Sequence, residues 1–578
     1  MLAFARFPFE DAYLTLRYAE NLAAGHGFVF QPGEAVLGTS SPGWALLLAL
    51  VIAAGVPPAT ALDALSGAAL GLLAFSGAVW LDRVRAPRAA MLFPGIVAIG
   101  AFRLHAYWGM ETAAFVAAAF GCVTLAERGR VRAAGLVAGI GVLLRHEGVL
   151  LVIPLAAWLH TRWGTRRSFE FCGWAAAPCL PWFAFAWATF GDPLPSTLAA
   201  KSGDHGPVEY LGRAALDLPA EVTWWPSLPS GWQLVLTLGF GVLVGLGTLR
   251  GLRSRSTAVP LAVAALAIVA GLALLGPSIH FRWHRAPAWL LLTAVALTAV
   301  HVRIPRWAAH GLVVAAFVAA VPVLRTARAA LETSHDHLAR VASYEPIAEF
   351  LRETGLASRT LLTAEPGYLA HLSGVRVLDA GGIVSPRVGF GGVDGAPMTL
   401  ADLLRERPEL VLVRAPFRAA GYRTVFESTM GRLLLAREDV ARAHDEQIQA
   451  WRAWRARDVR GAAPITGELA IGTPLDVDHP GRPGFRELRC DGRPRALTAE
   501  TRPFRIDADE LWIESDGTHP LHARCQLVVG GEVVRQRAAS ESGPVPVGEW
   551  RGATARVRVL LLTGAGDRVA YGAVRRGP

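Results

Sequence analysis

Between about residues 42 and 325 the chain is a succession of long apolar runs rich in Ala, Leu, Val and Gly, joined by short polar pieces. A run of about twenty such residues, wound as a helix, spans the hydrocarbon of a bilayer. Candidate spans fall at roughly 60–80, 88–104, 112–126, 132–145, 148–160, 169–190, 232–250, 257–276, 286–302 and 307–325. After residue 325 charge returns and no run is long enough to cross. The chain of 578 residues is 52% hydrophobic and 18% charged because it joins two unlike parts, a polytopic α-helical membrane domain and a more polar region.

The polar connections sort by charge. "LDRVRAPR", "ERGRVR", "HTRWGTRR", "RGLRSR" and "HVRIPR" fall on alternate turns and are arginine-rich. The positive-inside rule makes that side cytoplasmic. Residues 1–59, 105–111, 145–148, 191–231 and 277–285, and everything after 325, then face outward. Much of the net charge of +10 belongs to membrane-flanking loops, so it does not point to nucleic acid. The expected location is a bacterial inner membrane, with many spans and the C-terminal region outside the cytoplasm.

Residues 1–59 on the outer side have no hydrophobic segment before them to carry them across, and "MLAFARFPF" is too short to span. A first transmembrane helix is therefore expected to be missing. "PGWALLLALVIAAGV", residues 42–56, is read as a short helix in the outer interface, because a span there would turn the arginine-rich loops outward.

The outer pieces carry a distinctive polar set. "FEDAYLTLRYAENLAAGHGFVFQPGEAVLGTSSPGW" holds the adjacent carboxylates Glu10 and Asp11 at the start of a helical pattern. Arg17 lies seven residues after Glu10, on the same helical face. "FRLHAYWGMET" supplies Glu111, "LLRHEGVLL" supplies Arg145, His146 and Glu147, and "IHFRWHRAP" supplies Arg282, His284 and Arg285. "GDPLPSTLAAKSG" supplies Lys201, the one lysine among 57 basic residues. Each cation alone reads equally well as a functional group or as a plain residue, reaching for headgroups or paired with a carboxylate as Glu147 could be with Arg145. Together, cations and carboxylates at one membrane face suit a lipid-linked phosphate carrying a sugar. Cations would hold the phosphate, and a carboxylate would activate a nucleophile.

These motifs resemble the GT-C superfamily of glycosyltransferases, and among them the bacterial and mycobacterial terminal arabinofuranosyltransferase group. "EDAYLTLRYAENLAAGHGFVFQPGEAVLGTSSPGW" looks like that group's first outer loop; "GMETAAF", "RHEG", "GDPLPSTLAAKSG" and "FRWHRAP" look like its later outer motifs, in order. "LLTAEPGYLAHLSGVRVLDAGGIVSP" resembles a segment that follows the bundle, so the likeness covers about residues 8–390. The chain departs in lacking the first helix and in having Glu-Asp where Asp-Asp is common. The resemblance implies a GT-C-like bundle over 1–325, with its catalytic outer loop at 8–59. It implies transfer, with inversion, from a polyprenyl-phosphate sugar to an envelope glycan, lipid or protein. Asp11 is then the expected base and Glu10 its neighbour in orienting the acceptor or binding a cation. Arg145, Lys201 and Arg282 are expected at the donor phosphate, and Arg17, Glu111, His146 and Arg285 at the substrates. A divalent cation is left open. A surviving lysine in so arginine-biased a chain suits a pocket that needs a compact ammonium, although composition alone also leaves one.

Beyond the bundle, residues 326–345 read as a linker helix and 346–460 as a small α/β domain built from "PIAEFLRETG", "RTLLTA", "VRVLDA", "MTLADLLRERP" and "ELVLVRA". Trp451 and Trp454 read as packing residues. Residues 461–578 read as a β-sandwich-like domain, with hairpins at "CQLVVGGEVVRQR" and "ARVRVLLLTGAGDRVAYGAV" and an open disulfide between Cys490 and Cys525. Two other functions fit less well. A transporter or flippase of lipid-linked sugars needs polar groups at mid-membrane depth, and these gather at span ends. A non-catalytic polysaccharide-binding envelope protein would not need the acidic pair.

Overall fold

The computed structural model describes residues 10–99, 109–197, 206–211, 230–275, 282–299, 335–385, 400–414, 417–428 and 432–452, and the strand segments between 466 and 576. The chain divides into two compact units. One holds residues 1–325 with 381–397, and the other holds 326–380 with 398–578.

In the first unit, helix α1 (Glu10–Ala23) opens with both carboxylates in its first turn, where a helix N-terminus favours negative charge. It stops at Gly25, whose φ of 81° suits glycine. The loop that follows is folded back on α1 by two buried polar side chains. Asn21 Nδ2 donates to the carbonyls of Val29 and Phe30 at 2.9 and 2.7 Å. The Tyr18 hydroxyl donates to Val36 O at 2.6 Å and accepts from the Gly38 amide at 2.7 Å. Helix α2 (Pro42–Ala53) has 12 residues and is too short to cross a bilayer. Trp44 anchors it, donating from Nε1 to Gly109 O at 2.9 Å.

Then come α3 (Pro58–Arg83), α4 (Pro87–Ile99), α5 (Thr112–Glu127), α6 (Val131–Leu144), α7 (Val149–Trp163), α8 (Thr165–Phe190), α9 (Ser230–Ser254), α10 (Ala258–Leu275) and α11 (Arg282–Ala299). Among the described residues four helices are long and apolar enough to cross a membrane: α3, α8, residues 234–254 of α9, and α10. The expected span at 307–325 lies outside the described residues.

The arginine-rich turns are tied together by hydrogen bonds. Arg83 donates to Glu127 O at 3.1 Å, Arg250 to Arg85 O at 3.0 Å, and Trp158 Nε1 to Arg255 O at 3.1 Å. The Thr257 amide donates to Glu127 Oε1 at 2.7 Å, and Trp80 Nε1 to Thr257 Oγ1 at 2.9 Å. Turns from the first four arginine-rich segments thus share one arginine-bearing end of a helical bundle; "HVRIPR" lies outside the described residues. Small residues bring α6 and α8 into backbone contact. A Cβ on Gly135 would lie 2.6 Å from Phe171 O, and one on Gly139 would lie 2.2 Å from Ala175 O. Where lipid rather than water surrounds the helices, such close approach replaces the hydrophobic effect as the source of association.

In the second unit, α12 (His335–Glu353) runs without a break across the expected 345/346 boundary, with Pro346 inside it. A five-stranded sheet follows in the order β2-β1-β3-β5-β4. Strands β1 (Thr360–Thr363), β2 (Arg376–Asp379) and β3 (Leu410–Arg414) are parallel, linked by α13 (Pro366–Ser373) and α14 (Leu400–Arg405). Antiparallel β5 (Arg432–Arg437) and β4 (Tyr422–Glu427) extend the sheet. Trp451 packs against Phe350 and Phe426 at ring distances of 5.0 and 5.5 Å, which makes it a core residue; Trp454 lies outside the described residues.

The remaining strands include β6 (Thr466–Glu468), β7 (Val477–Asp478), β8 (Arg486–Arg489), β9 (Arg495–Glu500), β10 (Phe504–Arg505), β11 (Glu510–Ser515), β12 (Ala523–Val529), β13 (Glu532–Ala538), β14 (Gly543–Pro546), β15 (Thr554–Thr563) and β16 (Arg568–Arg576). They form two sheets, β13-β12-β15-β9-β6 with β10 on β15, and β14-β11-β16-β8-β7. The first expected hairpin is present: β12 pairs with β13, with Val529 opposite Glu532. The second is not. β15 pairs with β12 and β9, whereas β16 pairs with β11 and β8 in the other sheet. The two strands on either side of "GAGD" thus belong to different sheets, which alternation within each strand cannot distinguish from a hairpin. Cys490 lies outside the described residues, so the open disulfide is not described.

Candidate active site

A cavity of about 230 Å³ lies where α1, α7 and α10 meet the turn between α6 and α7. Asp11, Glu111, Arg145, His146, Glu147 and His284 all line it. They come from four separate sequence motifs that share nothing except their expected membrane face. Ser40 and Thr197 add hydroxyls, while Leu150, Ile268 and Leu272 make an apolar wall.

Arg145 organises the group. It caps α6 with extended backbone (φ −149°, ψ 128°) and starts the short 3-10 turn His146–Gly148. The turn is close-packed, since a Cβ on Gly148 would come within 2.9 Å of Gly141 and Val142 backbone. Arg145 Nη1 donates to Glu111 Oε1 at 2.7 Å and Nη2 to Glu147 Oε1 at 2.9 Å. The Arg145 and Glu111 side chains are 7% and 4% exposed, so this is an interior ion pair whose disruption would strand a charge. Burial works against the Arg145 charge, but the two carboxylates outweigh it and hold its pKa above the ordinary value. Burial likewise pushes Glu147 up, and Arg145 overrides it, so the Glu147 carboxyl is held down at about 2, with His284 adding to the effect. Burial lowers the pKa of His146; Glu147 opposes the shift and Arg145 adds to it. His146 Nε2 and Arg145 Nε are buried without a hydrogen-bond partner among the described residues.

Of the expected site residues, Asp11, Glu111, Arg145 and His146 are brought together. Glu10 sits beside Asp11 on α1 but does not line the cavity. Arg17 is also outside the lining and pairs with Glu20 at 3.5 Å. Arg285 is fully buried on α11, one residue after the lining His284. Arg282 begins α11, but its side chain lies outside the described residues, as does the whole of Lys201. Glu147 and His284 line the cavity without having been assigned a role. Their motifs, "RHEG" and "FRWHR", were the signal. Ser40 and Thr197 come from loop segments whose spatial neighbours no periodicity encodes. No group of three or more His, Cys, Asp or Glu fit to hold a metal occurs among the described residues.

Apolar helices of spanning length with an ionisable cavity at one end define a membrane-embedded helical protein, joined to a mixed α/β and β portion. No protein-family model matches the chain, and no curated protein matches it. Among solved structures it is similar to ArnT from Cupriavidus metallidurans in the apo state. Identity is 14%, the match covers 76% of this chain and 95% of that one, and the TM-score is 0.48.

Proposed function

We propose that the chain is an inverting glycosyltransferase of GT-C type, moving a sugar from a polyprenyl-phosphate donor to an envelope glycan, lipid or protein acceptor. The observation that carries this reading is the cavity in which Asp11 meets Glu111, Arg145, His146, Glu147 and His284 at one end of apolar helices. A mid-membrane transport path would distribute such groups along the spans. The resemblance of the outer motifs narrows the class to arabinofuranosyltransferase-like chemistry.

The chemistry asks for little. An acceptor oxygen forms a bond to the anomeric carbon, the bond from that carbon to the phosphate oxygen breaks, and the hydroxyl proton passes to a carboxylate. Asp11 is that base: the likeness of the first outer loop puts the base there, and Asp11 lines the cavity. Glu10 orients the acceptor. Arg145 fixes the turn through Glu111 and Glu147 and keeps N–H groups, Nε among them, for the leaving phosphate, which it shares with Lys201 and Arg282. His146 and His284 are nearer the sugar. Arg17 and Arg285 support α1 and α11 from outside the lining. The outer face of an inner membrane is the proposed location, with the second unit on that same side.

Asp11→Asn keeps size and most hydrogen bonding but cannot accept the proton. Turnover from a synthetic polyprenyl-phosphate arabinofuranose donor should fall roughly 10²–10⁴-fold with donor binding kept. Turnover close to wild type would remove Asp11 from the chemistry.

A further inference from the structure

A second and larger cavity, of about 720 Å³, runs between α7, α10 and the C-terminal end of α9. Its wall is apolar, formed by Leu150, Ile153, Pro154, Val259, Val263 and Ala267 among others, and no acidic residue lines it among the described residues. Its polar groups gather at one end, where α7 finishes and the α9–α10 turn lies: Thr161, Arg162, Arg255 and Ser256. Ile153 and Val263 are 65% and 46% exposed, so the groove opens laterally from the bundle.

The two arginines are set apart from their neighbours. Arg132 and Arg167 at the same end both pair with Glu170. Arg162 and Arg255 have no carboxylate partner among the described residues. The Arg162 guanidinium is held over aromatic rings, 5.5 Å from the Trp158 ring centroid and 5.9 Å from that of Trp163. Trp158 Nε1 also donates to the backbone carbonyl of Arg255 at 3.1 Å, which sets the turn that carries the second cation beside the first. Two neighbouring guanidiniums at the end of an apolar groove are complementary to a phosphate that carries hydrocarbon.

We infer that this groove binds an anionic glycerophospholipid, with its phosphate between Arg162 and Arg255 and an acyl chain along α7 and α10 toward Leu150. Leu150 to Arg162 is twelve residues of helix, roughly 18 Å, so an apolar wall runs the length of α7 from the arginine end. The side fits, since basic pockets on the arginine-rich face meet the leaflet where anionic lipid acts most strongly. Polarity separates this ligand from the sugar donor. Leu150 also lines the reaction cavity, but a polyprenyl phosphate reaching down from there would put its phosphate at the Glu147 end and leave the arginine end without a ligand. The inference does not depend on the proposed transferase activity.

The test is native mass spectrometry of the full-length protein with dioleoyl phosphatidylglycerol, dioleoyl phosphatidylethanolamine or polyprenyl phosphate. The first lipid bound should favour phosphatidylglycerol over phosphatidylethanolamine by roughly tenfold. Arg162→Gln with Arg255→Gln should abolish that preference without changing transferase turnover. Val263→Trp, which keeps both arginines and plugs the groove, should lower phosphatidylglycerol retention to a similar degree and serves if the double variant folds poorly. Equal retention of the two phospholipids by the wild type would overturn the inference. Wild-type retention in either altered protein would do the same, and so would one-for-one displacement of phosphatidylglycerol by polyprenyl phosphate, which would give the groove to the donor's tail.

Discussion

Arg145 and His146 are neighbours in sequence with opposite electrostatic tasks. Arg145 keeps its charge in the interior because Glu111 and Glu147 arrive at 2.7 and 2.9 Å, one from the start of α5 and one from its own turn. His146 is driven the other way: burial lowers its pKa from the ordinary 6.5, the charge of Arg145 adds to the lowering, and Glu147 only partly offsets it. Below about 6.5 the unfolded chain therefore takes up a proton that the folded site resists. The unfolded state binds more protons, so the stability contributed by neutral His146 is present above that pH and is lost as pH falls below it. Thermal unfolding in detergent should show Tm dropping between pH 7.5 and 5.5, and dropping less in His146→Gln. Equal pH slopes in the two proteins would mean that His146 titrates freely. The sequence placed both residues through "RHEG" and offered Glu147 as the partner of Arg145, which the structure pairs at 2.9 Å. What it could not show was the second partner, Glu111, 34 positions away.

At the level of elements, the helices were readable because each apolar run is a local statement of what lipid requires. Eight of the ten expected spans overlap one of the helices from α3 to α10; the ninth overlaps α11, and the tenth is not described. What the runs do not encode is which helix touches which. Gly135 and Gly139 have the four-residue spacing that lets helices approach closely, yet only the structure supplies Phe171 and Ala175 of α8 as what they meet. Gly139→Val should cost about 1–3 kcal/mol through overpacking. It should appear as reduced folded yield and a lower Tm. Gly173→Ala is the control, because a Cβ there meets nothing within 4 Å. If the two substitutions behaved alike, the α6–α8 contact would not be tight. The strand pattern failed for a similar reason. "ARVRVLLLTGAGDRVAYGAV" alternates correctly, but alternation says which side of a strand is buried and not which sheet receives it.

Across the whole molecule, the side assignment rests on the bundle end that gathers Arg83, Arg85, Arg250 and Arg255. In a background lacking native cysteines, Asp192→Cys should react with an impermeant maleimide added to sealed cells, and Arg253→Cys should react only after lysis. The reverse pattern would turn the cavity toward the cytoplasm and remove the case for a polyprenyl-phosphate donor. Asp11, the turn arginine and the lining histidines His146 and His284 were legible as members of one expected face, and they meet in the cavity, whereas Glu10 does not line it. The hydroxyls of Ser40 and Thr197 and the apolar wall on α10 were not legible, because they are supplied by folding of distant segments.

One of those distant segments sets a clock. The loop after α1 is closed at Leu37 and Gly38 by Ser196, whose amide and hydroxyl both bond to Leu37 O, and by residues 383 and 384. Ser196 Oγ also donates to Ile383 O, and a Cβ on Gly38 would collide with the Val384 side chain. A ribosome adds roughly 5–20 residues each second, so about 20–70 s separate the emergence of this loop from that of the strand-end residues that seal it. The nascent chain thus spends most of its synthesis with the contacts at Leu37 and Gly38 unmade. The loop after α1 is closed late, as a by-product of translation order, and a ribosome stalled before codon 383 would hold a chain in which Leu37 and Gly38 still lack Ile383 and Val384.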